Sequence, residues 1–172
     1  ATLNYNVVYA QMGRGKAERI VAMAMANLAD TLAKLSMDAC LFLNQNFGFI
    51  SFPAELTTGS SIMPHKKNPD VFELIRAHCN RIKALPNEIM LMTTNLPSGY
   101  HRDLQLLKAP LFRGIDHCAQ VLAVLPAALA GVRFRPENIR LDPAIHAAAR
   151  ANELVVREGI PFREAYQRVA AE

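Results

Sequence analysis

Between Thr57 and Pro69 the chain reads TTGSSIMPHKKNP, a run of side chains that could do chemistry. Its reactive groups are two hydroxyls, two ammonium groups and one amide, on Ser60, Ser61, Lys66, Lys67 and Asn68. The following Asn68-Pro69-Asp70 predicts a helix start, because Asn is a favoured N-cap and Pro is tolerated at the first helical position. The free N–H groups and the dipole of such a helix end favour a bound anion.

Several interpretations of this loop are open from the residues alone. Phosphate is one candidate anion, but a P-loop needs a second Gly before the Lys and a Ser or Thr after it, and neither is present. A carboxylate is at least as good a candidate. The third interpretation is a solvated surface loop whose lysines only keep the protein soluble.

The segment GSSIMPHKKNP, from Gly59 to Pro69, resembles the signature loop of the fumarase/aspartase superfamily, G-S-S-x-M-P-x-K-x-N-P. Every defined position of that pattern is filled. Members of the superfamily remove a proton from the carbon next to a carboxylate and expel a nitrogen or oxygen leaving group, producing fumarate. The resemblance implies an all-α fold, a bundle of long helices followed by a small helical carboxy-terminal domain.

The resemblance also implies roles for individual residues. Ser60 would be the general base, while Lys66 and Asn68 would hold the carboxylate as it becomes doubly negative. A fixed cation and amide donors suit that task, because they stabilise the transition state more than the ground state. Ser61 would shape the loop and offer its N–H to the substrate. His65 and Lys67 are expected to be bystanders.

Glu73 matches a glutamate that supports the general-acid histidine in the superfamily. It follows Pro69 by one helical turn, so it should lie close to the loop. The alternative is a surface ion pair with Arg76, three residues further along the helix. The histidine itself would lie outside this chain, and His78, His117 and His146 are expected to be packed or surface residues.

A second polar break, LPSGYHRDLQLLK from Leu96 to Lys108, resembles the argininosuccinate lyase branch of the superfamily, L-P-x-x-Y-x-x-D-L-Q-x-x-K. Tyr100, Gln105 and Lys108 match residues that contact the substrate there. A substrate with several carboxylates needs a cation and hydrogen-bond donors of this kind. The alternative is a plain helix N-terminal turn capped by Asp103, with the other side chains in solvent.

The resemblance implies a carbon–nitrogen lyase of arginine biosynthesis that acts on argininosuccinate, needs no cofactor or metal, and forms a homotetramer with sites shared between subunits. A carboxy-terminal piece of this kind is expected to be inactive alone, since the amino-terminal domain is absent. Two other functions stay open. One is a sibling lyase such as adenylosuccinate lyase, and the other is a non-catalytic structural protein on the same fold.

The elements that position these residues are predicted to be helices. Residues 19–46 carry apolar side chains at helical spacing and predict one long buried helix. Further helices are expected from Asn68 to about Thr93, from 103 to 130 with bends or breaks at its prolines, and over 144–157 and 161–170. We expect a central domain over 1–132 and a small carboxy-terminal domain over 133–172.

Composition supports a soluble helical protein. About half of the 172 residues are hydrophobic and Trp is absent. The three cysteines are far apart and predict small buried thiols in a reducing compartment. The net charge of +4 comes from scattered residues, so no nucleic acid is expected. The longest apolar stretch, 119–132, is too short to span a membrane, and a cytoplasmic location without membrane contact is expected.

Overall fold

Residues 5–63 and 65–171 are described here from a computed structural model of the protein. This part of the chain is helical apart from 3-10 turns, connecting loops and a two-stranded ribbon, which confirms the predicted all-α class. The helices are α1 (Val7–Met12), α2 (Lys16–Leu43), α3 (Asp70–Met92), α4 (Lys108–Gly131), α5 (Ala147–Glu158) and α6 (Phe162–Ala170).

The long helices α2 and α3 pack along most of their length and form the centre of the fold. The buried side of α2 is made of small residues, Ala22, Ala29, Ala33, Ser36 and Ala39. The buried side of α3 carries large ones, Phe72, Ile75, Ile82, Leu85 and Ile89, together with the smaller Cys79. Large side chains on one helix fit against small ones on the other, so the two backbones approach closely.

The prediction that α2 is buried along its large apolar residues is wrong within this chain. Ile20 and Met23 are 58% and 52% exposed, and Leu28 and Leu35 are each 38% exposed. The alanine side of the helix faces α3 instead, because only small side chains permit the close approach of the two helices. Ile20 and Met23 are therefore left more than half exposed, while Leu28 lies beside Cys79 and Ile82 of α3.

A 3-10 turn, Arg102–Leu107, leads directly into α4, which packs on α3 through Val121, Leu125 and Ala128. The predicted helix over 103–130 changes from a 3-10 turn to α4 two residues before Pro110, whereas Pro126 does not interrupt it. Pro110 lies in the first turn, where no intrahelical N–H is required, and Pro126 is accommodated inside the helix.

The chain forms two compact units, one up to Arg135 and one from Pro136. A short antiparallel ribbon, β1 (Ile50–Ser51) with β2 (Arg133–Phe134), closes the first unit near its end. The second unit is built on α5 and α6, joined through Gly159 at a φ of +67°. Its small core consists of Ala151, Ala165 and Val169.

Two helical stretches, Lys16–Leu43 and Arg102–Gly131, are long and apolar enough by length and composition to cross a membrane. Core helices of bundle proteins meet the same criterion, so length and composition do not distinguish a membrane-spanning helix from a core helix. The expectation that the protein makes no membrane contact therefore stays a prediction.

The crossing of α3 and α4 depends on the absence of a side chain at Gly114. A Cβ at this position would lie 2.4 Å from Cδ2 of Leu85 and 3.3 Å from Cε of Met25. We predict that Gly114→Ala destabilises the protein by about 1–3 kcal/mol, measured by urea denaturation. In a Leu85→Ala background the added methyl has room, so the penalty should largely disappear; an unchanged penalty there would exclude the clash as its cause.

His117 of α4 lies against His78 of α3, with ring centroids 5.0 Å apart. Burial lowers the pKa of His117, and the positive charge of Arg81 and the neighbouring imidazole lower it further. The unfolded chain, with a histidine pKa of about 6.5, then binds a proton more readily than the folded one. Stability should therefore fall as pH drops through and below about 6.5.

We predict that the melting temperature falls more steeply from about pH 8 to about pH 5.5 in the wild type than in His117→Gln. Carboxylates titrate equally in both proteins, so the difference between the two slopes isolates the imidazole. Parallel slopes would show that His117 does not contribute.

Candidate functional site

The loop with the signature residues is closed at its base by its own backbone. The N–H of Asn68 donates to the carbonyl of Thr58 at 2.8 Å, and the N–H of Thr58 donates to the carbonyl of Asn68 at 3.3 Å. This bridge ties both ends of the loop to the amino end of α3. The predicted N-cap role of Asn68 is wrong, because Asp70 is the first helical residue and Pro69 occupies the cap position.

A cavity of about 620 Å³ lies beside this loop, next to the first turn of α3. Lys66, Asn68 and Glu73 line it, together with His65 and Lys67. Three of the four residues predicted to be catalytic therefore share one cavity wall. Two ammonium groups outweigh the one carboxylate in this lining, and the helix amino end nearby also favours a bound anion.

Ser60 is half-buried within the loop and Ser61 is exposed. Neither serine lines the cavity in this conformation. The Ser60 Oγ accepts a hydrogen bond from the backbone N–H of Ile62 at 3.2 Å. A donor aimed at this oxygen stabilises negative charge on it. Pro64 of the signature lies outside the described residues.

The Glu73 carboxylate is not engaged with Arg76. Arg76 Nη1 instead donates to the Sδ of Met37 at 2.9 Å, and within residues 5–63 and 65–171 no cation lies within ion-pair distance of Glu73. The surface-pair interpretation of Glu73 is therefore not what the structure shows. Its carboxylate is available at the cavity wall.

The lining of the cavity also contains residues that the sequence did not single out, Cys40, Asn44, Gln45, Asn46 and Ser51. The sequence did contain a sign of this polar lining, because three consecutive amide side chains, at positions 44–46, follow the long apolar helix. Burial raises the pKa of the Cys40 thiol, with the Glu73 carboxylate adding to this and Arg76 opposing it. The thiol is therefore protonated at neutral pH and is not a nucleophile of this site.

Tyr100, Gln105 and Lys108 form a second group, away from the loop. The Gln105 amide donates to the Tyr100 hydroxyl at 2.5 Å, and Lys108 is exposed at the start of α4. None of the three lines the cavity. The structure thus places two of these predicted substrate contacts next to each other but not beside the signature loop.

The separation of the two groups follows from the length of α3. Leu104 and Leu107, in the turn before Lys108, pack with Leu85 and Ile89. Leu85 and Ile89 lie 15 and 19 positions after Asp70, the first residue of α3. At 1.5 Å per residue, the turn therefore lies about 22 to 28 Å along the helix axis from the signature loop.

No three His, Cys, Asp or Glu side chains converge as a metal ion would require, as far as the described ranges extend. The candidate site accordingly contains cations, amides, hydroxyls and one carboxylate. Such groups bind carboxylates and move protons.

A family model described as lyase matches residues 16–84. The chain is 52% identical to an argininosuccinate lyase of Bacteroides fragilis over 98% of this chain. It is 42% identical to an argininosuccinate lyase of Stenotrophomonas maltophilia over 99% of this chain. The chain spans 38% and 40% of the length of these two relatives.

Solved structures with a similar fold include a class II fumarase from Schistosoma mansoni, with a TM-score of 0.75 and 20% identity over 96% of this chain and 34% of that chain. A fumarate lyase:delta crystallin from Brucella melitensis has a TM-score of 0.76 and 21% identity over 99% of this chain and 38% of that chain. At these identities the likeness concerns the fold, and it confirms the predicted helical-bundle architecture. Together with the sequence relatives it shows that the chain is similar over nearly all of its length to part of the argininosuccinate lyases and has the helical fold of fumarate-forming lyases.

Proposed function

We propose that this chain is part of an enzyme that eliminates fumarate from argininosuccinate and leaves arginine. The observation that carries the proposal is the shared cavity of Lys66, Asn68 and Glu73 under the signature loop. The relatives at 42% and 52% identity bear the same enzyme name, which supports the choice of substrate.

The reaction begins with removal of a proton from the carbon next to a succinyl carboxylate. Negative charge then builds on the oxygens of that carboxylate. The Lys66 ammonium and the Asn68 amide, next to the amino end of α3, would stabilise the doubly negative form. The carbon–nitrogen bond then breaks, and the leaving guanidino nitrogen takes a proton.

Ser60 is the proposed general base. A serine hydroxyl is a weak base unless its alkoxide is stabilised. The N–H of Ile62, at 3.2 Å from Oγ, supplies one such interaction. Glu73 would assist protonation of the leaving nitrogen, by orienting a general-acid histidine that is expected to lie outside this chain.

Ser61, Tyr100, Gln105 and Lys108 are the proposed substrate contacts, Ser61 through its backbone N–H. Argininosuccinate is about 15 Å long when fully extended, at somewhat over 1 Å per bond along the chain. It cannot reach from the loop to the turn before Lys108, because these lie about 22 to 28 Å apart along α3. We therefore infer that one active site takes its loop and its Tyr100-to-Lys108 group from different subunits.

A homotetramer fits the exposed surface of the first unit. The large apolar residues of α2 and α4 that face away from α3 form uncovered stripes, including Ile20, Met23, Phe112 and Ile115. Stripes of this kind are usually covered in helical bundles. The proposed elimination needs only acid–base groups, so the proposal includes no cofactor. The proposed location of the enzyme is the cytoplasm.

We predict that Ser60→Ala in the full-length enzyme reduces turnover by about a hundred- to ten-thousand-fold, with little change in the thermal melt. Turnover number and Michaelis constant are measured at fixed ionic strength. Ser61→Ala is the matched control, since it removes the neighbouring hydroxyl but keeps the backbone N–H. If Ser60→Ala keeps more than about a tenth of wild-type turnover, Ser60 is not the base.

Lys66→Ala should differ by also raising the Michaelis constant, because a cation holds the ground-state carboxylate too.

We also predict that two inactive variants recover activity when their subunits are mixed. Ser60→Ala and Lys108→Ala, unfolded together and refolded as mixed assemblies, should regain about a quarter of wild-type activity, because half of the loops and half of the Lys108 groups are intact. The control mixture, Ser60→Ala with Lys66→Ala, carries both changes in the same loop and should stay inactive. Failure of the first mixture to recover would argue against sites shared in this way.

A further inference from the structure

A second cavity, of about 190 Å³, lies between α3 and α4 and shares no lining residue with the first. Its polar lining consists of Arg81 and Glu88 from α3 with Arg113 and His117 from α4. The proposed elimination uses none of these residues. Their function is therefore independent of the activity proposed above.

Two arginines and one glutamate line this cavity, and the Asp116 carboxylate acts on His117 from beside it. The Arg113 guanidinium lies 3.4 Å from the Glu88 carboxylate, with both side chains half exposed or more. Arg81 has no carboxylate within ion-pair distance in the described part of the chain. One guanidinium is thus left without a counter-charge, next to an imidazole that can itself become positive.

The two histidines at this crossing are not fully satisfied by the protein. Within the ranges that the structure describes, the Nδ1 atoms of His78 and His117 are the buried side-chain nitrogen or oxygen atoms without a hydrogen-bond partner. Buried polar atoms nearly always have a partner, and a missing one costs free energy. A negative group held by Arg81 would lower the energy of a protonated imidazole beside it.

We propose that this cavity binds a phosphate group, held by the guanidinium groups of Arg81 and Arg113 with His117 alongside. Arginine is well suited to a tetrahedral oxyanion because its planar guanidinium can donate two parallel hydrogen bonds. The cavity volume of about 190 Å³ corresponds to about six liquid waters, which is enough for a phosphate of five heavy atoms. The group can belong to free phosphate or to the end of a small phosphate ester.

The test is isothermal titration of inorganic phosphate into the full-length protein, with sodium chloride holding the ionic strength constant. A Lys66→Ala background removes the anion site proposed at the signature loop, so the remaining binding reports on the second cavity. Arg81→Gln is compared in that background with Arg163→Gln, which removes the same charge from an exposed position on α6. Glycerol 3-phosphate is titrated in parallel to distinguish an ester from the free ion.

We expect one phosphate per chain, an affinity about tenfold or more weaker in Arg81→Gln, and no change in Arg163→Gln. Tighter binding of glycerol 3-phosphate would identify the ester as the better ligand of the same site. Equal weakening by both substitutions would overturn the proposal, because it would show a general charge effect. Absence of saturable binding would overturn it as well, as would a tungstate-soaked crystal in which a partner subunit's carboxylate fills the cavity.

Discussion

The close contact between α2 and α3 is the interaction on which the rest of the structure depends. It is possible because α2 presents alanines and one serine to the large residues of α3. Ser36 fits this buried side because its hydroxyl donates to the carbonyl of Leu32 at 2.8 Å and so is not left unsatisfied. With α3 fixed in this way, its first turn becomes a rigid support for the signature loop, and its far end supports the turn before α4.

The length of α3 then determines what one chain can do. A single uninterrupted helix holds the loop with Lys66 and Asn68 at one end and the Tyr100–Gln105 pair near the other. A rigid spacer of this length keeps the two groups from meeting on one small substrate, so the proposed chemistry requires association of subunits. The apolar residues of α2 that face away from α3 give a physical reason for that association, since burying them stabilises an assembly.

The helical class and the position of the irregular loop could be predicted from the sequence because both are local properties. Helical spacing, the Gly and Pro residues of the loop and its reactive groups are all visible in neighbouring residues. The orientation of α2 was predicted wrongly, since hydrophobicity favours Ile20 and Met23 for the core, while the geometry of a close helix crossing favours alanine. The N-cap was predicted at Asn68 but lies at Pro69, because the backbone of Asn68 is already paired with Thr58 across the loop.

The remaining lining of the cavity could not be predicted either. Asn44, Asn46 and Ser51 line the same cavity as Lys66, in the segment where the chain leaves α2 and pairs β1 with β2. The pairing of two segments more than eighty residues apart leaves no local pattern in the sequence. The roles proposed for Ser60, Glu73 and Lys108 depend on partner subunits, and so lie beyond what one chain's geometry can supply.

The central claim is that the full-length protein releases fumarate from argininosuccinate, using the loop that this chain provides. Fumarate formation can be followed directly by its ultraviolet absorbance, with adenylosuccinate and aspartate supplied in parallel as the substrates of sibling reactions. The account predicts turnover with argininosuccinate that exceeds turnover with either alternative by at least about a thousandfold, since Tyr100, Gln105 and Lys108 are the proposed substrate contacts. Preferential turnover of adenylosuccinate, or no fumarate from any of the three, would contradict it.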